Sequence, residues 1–222
     1  GAAAVTLAAC SSDSDGDDAG GEVEMYACRC LAHLLEALPA SAASVVRHGA
    51  VPLLVAKLQE ITFIDLAEQV LQTLEKLSTT HAAAIVRAGG LHAMLQYVDF
   101  FSLYVQRTAL ATAANCCAHV TPAVAARVAP QILACLNSTL SEPDLALPTL
   151  ESWRDFVQVL RYADVGPFVG QTAAALLGAW PRLGRAEKGV ASEILRYTIV
   201  AHGAELETYI DAVPSLDAIA DD

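Results

Sequence analysis

The sequence has few aromatic and few basic residues, and each shortage excludes a class of protein. Aromatic residues make up 6% of the 222 residues although hydrophobic residues make up 55%, so Ala, Leu and Val supply most of the apolar side chains. Ala and Leu favour helices, and the composition predicts an all-α fold. With 13 Lys and Arg against 25 Asp and Glu, the formal net charge is −12. A basic surface that binds a phosphate backbone is therefore not expected, and we predict no direct contact with nucleic acid.

Long apolar runs are also missing. No uninterrupted apolar segment reaches the roughly 18 residues that a membrane span requires, so no membrane association is predicted. The N-terminal stretch VTLAACSSD at residues 5–13 is similar to a lipoprotein processing site. No Lys or Arg precedes Val5, however, and a signal peptide has a basic region there. We interpret residues 2–10 instead as a helix that ends at Cys10.

The six cysteines do not form the pattern of a secreted disulfide scaffold, which is typically smaller and richer in loops. Most of them lie within helical patterns, as small buried apolar residues do. We therefore expect reduced thiols and an intracellular location, nuclear or cytoplasmic. The six are Cys10, Cys28, Cys30, Cys116, Cys117 and Cys135.

A run of acidic residues interrupts the N-terminal part of the chain. Ser and Gly separate the acids, so the run lacks apolar residues to bury, and it predicts a disordered acidic loop at about residues 11–22. A solvated linker is the favoured interpretation, and an acidic docking peptide is the alternative. The pattern predicts a helix over residues 23–38 after the loop. The acids are Asp13, Asp15, Asp17, Asp18, Glu22 and Glu24.

A repeat of about 40 residues follows. The segment VRHGAVPLL at 46–54 matches VRAGGLHAM at 86–94 and, more loosely, ARVAPQIL at 126–133. Gly49 and Gly89 suit tight turns between helices, where a positive φ is needed. Three helices in about 40 residues are typical of armadillo repeats. The predicted fold is an armadillo/HEAT-like right-handed α-solenoid of stacked helical repeats.

Such units bury their apolar faces only against neighbouring units. Residues 2–10 take the place of the second helix in an incomplete first unit. We therefore expect the helix at 23–38 to expose apolar side chains, including Leu31 or Leu35, and the chain to self-associate.

Residues 1–120 resemble the armadillo region of HECT-type ubiquitin ligases of the ubiquitin-fusion-degradation class. This resemblance implies a segment that recruits ubiquitination substrates, while a HECT domain that this sequence lacks carries the catalytic cysteine. The likeness includes loop residues as well as core leucines. It rests on FIDLAEQ at 63–69, LEKLS at 74–78, AGGL at 88–91, DFFS at 99–102, VQR at 105–107 and AANCC at 113–117.

Residues 121–222 resemble a second family, the UME domain of ATR-type checkpoint kinases. The resemblance implies a helical scaffold segment for a DNA-damage kinase and its partner proteins, without kinase activity, because the Gly-rich loop, HRD and DFG elements are absent. Two different families in one chain predict a fusion, a rearranged gene or a faulty gene prediction. The matching segments are LESWRDFV at 150–157, VGPF at 165–168, ALL at 175–177, EILRYTIV at 193–200, EL at 205–206 and VPSL at 213–216.

The candidate binding residues lie on the predicted third helices, which line the concave groove of an armadillo stack. We predict that Lys76, Arg107 and Asn115 contact a protein partner, with Glu36 in the position that matches Lys76 one repeat earlier. An Asn in this groove can hydrogen-bond to a peptide backbone. The groove lacks the asparagine ladder and tryptophans of nuclear-import armadillo proteins, so nuclear-localisation signals are not the expected ligand.

No catalytic site, metal site or cofactor is predicted. Cys28 and Cys30 lie two apart on a helix and point away from each other, and the spacing does not match that of a zinc site. Trp153 and Phe156 are predicted to pack in the core. The alternative hypothesis is a small cysteine-dependent enzyme that uses Cys117 and His119, although no third residue that would orient the base is evident. Of the adjacent cysteines at 116 and 117, one should face the core and one an edge.

Overall fold

The computed structural model describes residues 17–60, 63–160 and 166–210, and no strand occurs within these ranges. The chain divides into two compact units, Gly1–His119 and Val120–Asp222. The helices of the first unit are α1 (Asp17–Ala37), α2 (Ala42–Arg47), α3 (Ala50–Gln59), α4 (Ile64–Arg87), α5 (Gly90–Gln96) and α6 (Leu103–Cys117). Those of the second are α7 (Pro122–Thr139), α8 (Pro143–Leu160), α9 (Gly166–Ala179) and α10 (Arg185–Ile210). Short 3-10 helices cover Pro39–Ser41, Val98–Phe100 and Trp180–Arg182.

Two glycine turns set the repeat of the first unit. Gly49, between α2 and α3, has φ 77°, and Gly89, between α4 and α5, has φ 81°. Both lie in the left-handed region of backbone conformation, which residues other than glycine rarely adopt, so the predicted turns are confirmed. Helix α4 contains a break at His81, with φ −131° and ψ 28°. The residues before His81 form the long third helix of one repeat, and those after it form the short first helix of the next.

The long helices of the first unit lie side by side. A Cβ atom at Gly21 would lie 2.6 Å from Phe63 Cε2, so α1 and α4 begin close together. Further along, the Thr73 hydroxyl donates to the Cys28 carbonyl oxygen at 3.2 Å. The two helices are therefore parallel and adjacent, as consecutive third helices of an armadillo stack are. Helix α4 also packs against α6, and the predicted all-α helical-repeat fold is confirmed.

The expectation for the first helix needs correction at two points. Helix α1 begins at Asp17, inside the predicted acidic loop, because packing against α4 stabilises a helix that its composition alone does not favour. Leu31 and Leu35 are each only 4% exposed. They pack inward because α1 contacts α4 along its length. The segment does expose apolar side chains, but these are Val23, Tyr26, Leu34 and Leu38, at 45%, 56%, 41% and 59%. The predicted helix at 2–10 lies outside the described residues.

The third, looser copy of the repeat contains no glycine turn. Residues 126–133 lie inside α7, which continues through Pro130. Ala129 replaces the glycine of the other copies, so the left-handed turn has no suitable residue. Proline costs a helix one backbone hydrogen bond, but the apolar residues of α7 still form one buried face. That face comprises Ala125, Val128, Ala129, Ile132, Leu133 and Leu136.

The second unit has an aromatic core, as predicted. Trp153 and Phe156 on α8 are both 0% exposed, and their ring centroids lie 5.7 Å apart. Helix α8 packs against α7 and α10, and α9 packs against α10. Among the described helices, none combines the length with the apolar character that crossing a membrane demands.

Candidate protein-binding surface

Helix α6 presents an exposed stripe that contains two of the predicted binding residues. Tyr104, Arg107, Ala111 and Asn115 are exposed at intervals of three or four residues, which is the spacing of one helix face. The opposite face is buried because α6 packs against α4 and α5. The structure therefore brings Arg107 and Asn115 to the same side of α6.

Asn115 connects this stripe to the neighbouring third helix. Its side-chain Nδ2 donates to the Ser78 hydroxyl at 2.9 Å, and Ser78 in turn donates to the Glu75 carbonyl oxygen at 2.7 Å. Ser78 is 3% exposed, so the bond anchors the amide of Asn115 on a buried group. An amide has a second donor hydrogen and an acceptor oxygen, and both are left for a partner's backbone.

Lys76 lies two residues before Ser78 on α4. Its Nζ atom is 3.9 Å from Glu75 Oε2, and both side chains are more than a third exposed. A pair with this exposure holds its charges only weakly, so the ammonium group of Lys76 can exchange Glu75 for another carboxylate. The binding roles of Lys76, Arg107 and Asn115 stay predictions.

Exposed apolar residues lie where α4 and α6 begin, and the sequence interpretation missed them. Phe63 and Ile64 are 36% and 56% exposed, while Phe100, Leu103 and Tyr104 are 77%, 50% and 68% exposed. Water contact with so many large apolar groups near two helix starts is typical of a surface that binds another molecule. The DFFS segment at 99–102 contains the signal, because two adjacent aromatic residues cannot both face the core of a short turn.

The structure buries the cysteine of the alternative enzyme hypothesis. Cys116 and Cys117 are both 0% exposed, so the expectation that one of them faces an edge was wrong. Two positions about 100° apart are both covered because this end of α6 is enclosed on more than one face. Burial raises the pKa of Cys116 to about 12. His119 is exposed beyond the end of α6, and a nucleophilic thiolate needs access and a lowered pKa, so this arrangement does not suit catalysis.

A buried ion pair is the main group of charged side chains that the sequence did not reveal. Lys57 Nζ on α3 lies 2.6 Å from Glu24 Oε1 on α1, and Glu24 is 6% exposed. The sequence places Glu24 at the end of the acidic run, and nothing in the linear pattern connects it to a lysine 33 positions away. Burial, together with the nearby Glu24 carboxylate, raises the pKa of Cys28 to about 12.

The Cys28 and Cys30 side chains point in opposite directions, as predicted. Cys28 is buried, whereas Cys30 is exposed. Within residues 17–60, 63–160 and 166–210, no group of three or more His, Cys, Asp or Glu side chains could hold a metal ion.

The fold and surface define a helical-repeat protein without an evident reaction centre in the described residues. The crystal structures of two engineered proteins from the Northeast Structural Genomics Consortium show the same fold. The first matches with a TM-score of 0.57 at 15% sequence identity, and the match covers 90% of this chain and 98% of that protein. The second matches with a TM-score of 0.57 at 14% identity, and the match covers 95% of this chain and 61% of that protein.

The family comparisons match the chain in two segments. Residues 7–87 match the family described as E3 ubiquitin-protein ligase TRIP12-like, TPR repeats, and residues 90–180 match the UME (NUC010) domain. Both resemblances found in the sequence are therefore confirmed. The UME match begins within the first unit, before residue 121, and ends before α10.

Several curated proteins are similar to the N-terminal part of the chain. The E3 ubiquitin-protein ligase UPL3 of Arabidopsis thaliana is 54% identical over 96 residues, which are 43% of this chain and 5% of that protein. The E3 ubiquitin-protein ligase TRIP12 of Danio rerio is 52% identical over 101 residues, 46% of this chain and 5% of that protein. Ubiquitin fusion degradation protein 4 of Saccharomyces cerevisiae is 41% identical over 99 residues, which are 45% of this chain and 7% of that protein. The chain thus spans 5% to 7% of the length of these relatives.

Proposed function

We propose that this chain is a non-catalytic protein-binding scaffold, and that residues 1–120 recruit substrates for ubiquitin ligation. The observation that carries the proposal is the exposed stripe of α6, which combines an anchored amide, a cation and apolar side chains. The similarity to E3 ubiquitin-protein ligases supports the ligation context. The buried cysteines support a binding role over a catalytic one.

The stripe suits an extended peptide segment with apolar and acidic residues. Leu103 and Tyr104 offer apolar contact area, and Arg107 can form a bidentate pair with a carboxylate. Asn115 can donate to and accept from a peptide backbone, and Lys76 supplies a second cation on α4. Aromatic and Arg side chains dominate binding energy at protein interfaces, so Tyr104 and Arg107 should contribute most.

The second half of the chain has a parallel role in this proposal. Residues 121–222 serve as a UME segment of the kind found in ATR-type checkpoint kinases, and position partner proteins of such a kinase. The match of residues 90–180 to the UME domain supports this assignment. We place the protein inside the cell, in the nucleus, the cytoplasm or both, where ubiquitin ligases and checkpoint kinases act.

A peptide selection tests the binding surface. A phage-displayed library of linear 12-residue peptides would be selected against the 222-residue chain, and the strongest peptide would be measured by fluorescence anisotropy. We expect peptides that combine acidic and apolar residues, and a loss of affinity of about tenfold or more for Arg107→Glu and for Tyr104→Ala, as for interface anchors. Arg127→Glu on α7 is the matched control, since Arg127 is equally an exposed Arg on a helix. Equal affinity for the parent chain, Arg107→Glu and Tyr104→Ala would show that the stripe is not the binding surface.

A further inference from the structure

We propose that a cavity between α9 and α10, in the second unit, binds an apolar side chain of an acidic peptide from a partner protein. The cavity has a volume of about 330 Å³. That volume is at the lower end of the range for ligand pockets, roughly 300–1,000 Å³, and suits one or two side chains better than a cofactor. The described residues that line it all belong to the second unit.

The walls of the cavity are apolar, and part of the wall is open to water. Leu177 and Trp180 line one side, and Leu195, Ile199 and Val200 of α10 line the other. Ile199 and Val200 are 57% and 82% exposed. Two aliphatic side chains beside an apolar cavity lose favourable burial while they stay in water, and an inserted side chain would cover them.

Trp180 forms part of the apolar wall of the cavity. The residue is 6% exposed, and its indole Nε1 is buried without a hydrogen-bond acceptor among the described residues. Buried indole N–H groups are normally paired, and leaving one unpaired costs about 1–3 kcal/mol. Because Nε1 itself has almost no accessible surface, an inserted side chain would contact the apolar ring of Trp180 rather than its N–H group.

The charge around the cavity selects an acidic partner. Residues 180–200 contain four basic side chains and two acidic ones, in a chain whose net charge is −12. Arg196 lines the cavity, and Lys188 Nζ lies 5.7 Å from the centroid of the Trp180 ring. One of the two acids, Glu193, faces Arg154, with 3.9 Å between Oε2 and Nη1. Arg196 and Lys188 beside an apolar cavity complement an acidic segment with an apolar anchor.

The test uses three labelled peptides and the 222-residue chain. The first is a 12-residue peptide of Asp and Glu with two central Leu residues. In the second Ser replaces Leu, and in the third Lys replaces the acids. Anisotropy titrations should show binding of the first peptide only, weakening as salt is raised because the contacts with Arg196 and Lys188 are electrostatic. In a Trp153→Phe background, Trp180 emission should change at the same peptide concentrations.

Two variants and one control locate the peptide. Val200→Glu and Arg196→Glu should each lower the affinity for the first peptide about tenfold or more. Arg127→Glu on α7 should change that affinity less than about twofold. Val200 is 82% exposed, so its substitution spares the core. The proposal is wrong if Val200→Glu and Arg196→Glu both bind like the parent, or if the Ser peptide binds as well as the Leu peptide. It is equally wrong if light scattering shows that Val200→Glu abolishes a dimer, or if binding appears only after residues 211–222 are removed. In these cases a second copy or the chain's own C-terminal segment occupies the cavity.

Discussion

The Glu24–Lys57 pair predicts a specific cost for the substitution Lys57→Met. Methionine keeps most of the length and apolar area of the Lys side chain, so packing against α1 is largely preserved. The Glu24 carboxylate, however, is 6% exposed and loses the cation that lies 2.6 Å away. The perturbation therefore removes one charge and leaves its partner buried.

The magnitude follows from burial on the two sides of the pair. Removing one member of a fully buried ion pair costs about 3–5 kcal/mol, because the remaining charge has lost both water and partner. The Lys57 side chain is 22% exposed, so water reaches this pair from one side and screens the remaining charge. We therefore expect a loss of about 2–3 kcal/mol in the free energy of opening α1, just below the range for fully buried pairs.

Hydrogen exchange measured by mass spectrometry reports this free energy locally, which suits a chain with two units. In Lys57→Met, amides within Asp17–Ala37 should exchange about 30 to 150 times faster, since each 1.4 kcal/mol is a factor of ten. Lys76→Met is the matched control. The Lys76 pair has 3.9 Å between its charged atoms and is more than a third exposed, so that substitution should cost less than about 1 kcal/mol.

A second variant separates charge from packing. In the double variant Glu24→Leu with Lys57→Met, both charges are gone and an apolar contact replaces them, so stability should return to within about 1 kcal/mol of the parent. Equal exchange rates in Lys57→Met and Lys76→Met would refute the argument. They would mean that water screens Glu24 as fully as it screens an exposed residue.

Two further predictions concern the glycine turns and the cysteines. Gly89→Ala should destabilise the chain by about 1–2 kcal/mol, because Ala is strained at positive φ, whereas Gly178→Ala inside α9 should stabilise it by up to about 1 kcal/mol. Urea unfolding followed by circular dichroism measures both changes. An unchanged stability in Gly89→Ala would contradict the left-handed turn. Iodoacetamide at pH 8, with sites mapped by mass spectrometry, should label exposed Cys30 well before Cys116 and Cys117, since burial raises the pKa of Cys116 to about 12. Fast labelling of Cys117 would support the alternative hypothesis of a cysteine-dependent enzyme.

The repeat and its turns could be predicted from the sequence because local rules decide them. A glycine at the same point of two 40-residue segments indicates a left-handed turn wherever the rest of the chain lies. The same rules found that Cys28 and Cys30 point apart, since two positions on a helix differ by a fixed angle. The looser third copy at residues 126–133 has Ala129 at that point, and the same rules give it no left-handed turn. Without glycine at position 129, helix α7 simply continues.

The composition and periodicity of the sequence by themselves determined that this protein is all-helical, that its helices repeat, and which faces are apolar, because these properties depend on neighbours within one or two helical turns. Only the tertiary structure decided that Glu24 is buried against Lys57, that Cys117 has no exposed surface, and that Trp180 borders an open apolar cavity. Each of these depends on how separate helices pack against one another. Burial, and with it the strength of charges and the access of ligands, is a property of the assembled helices.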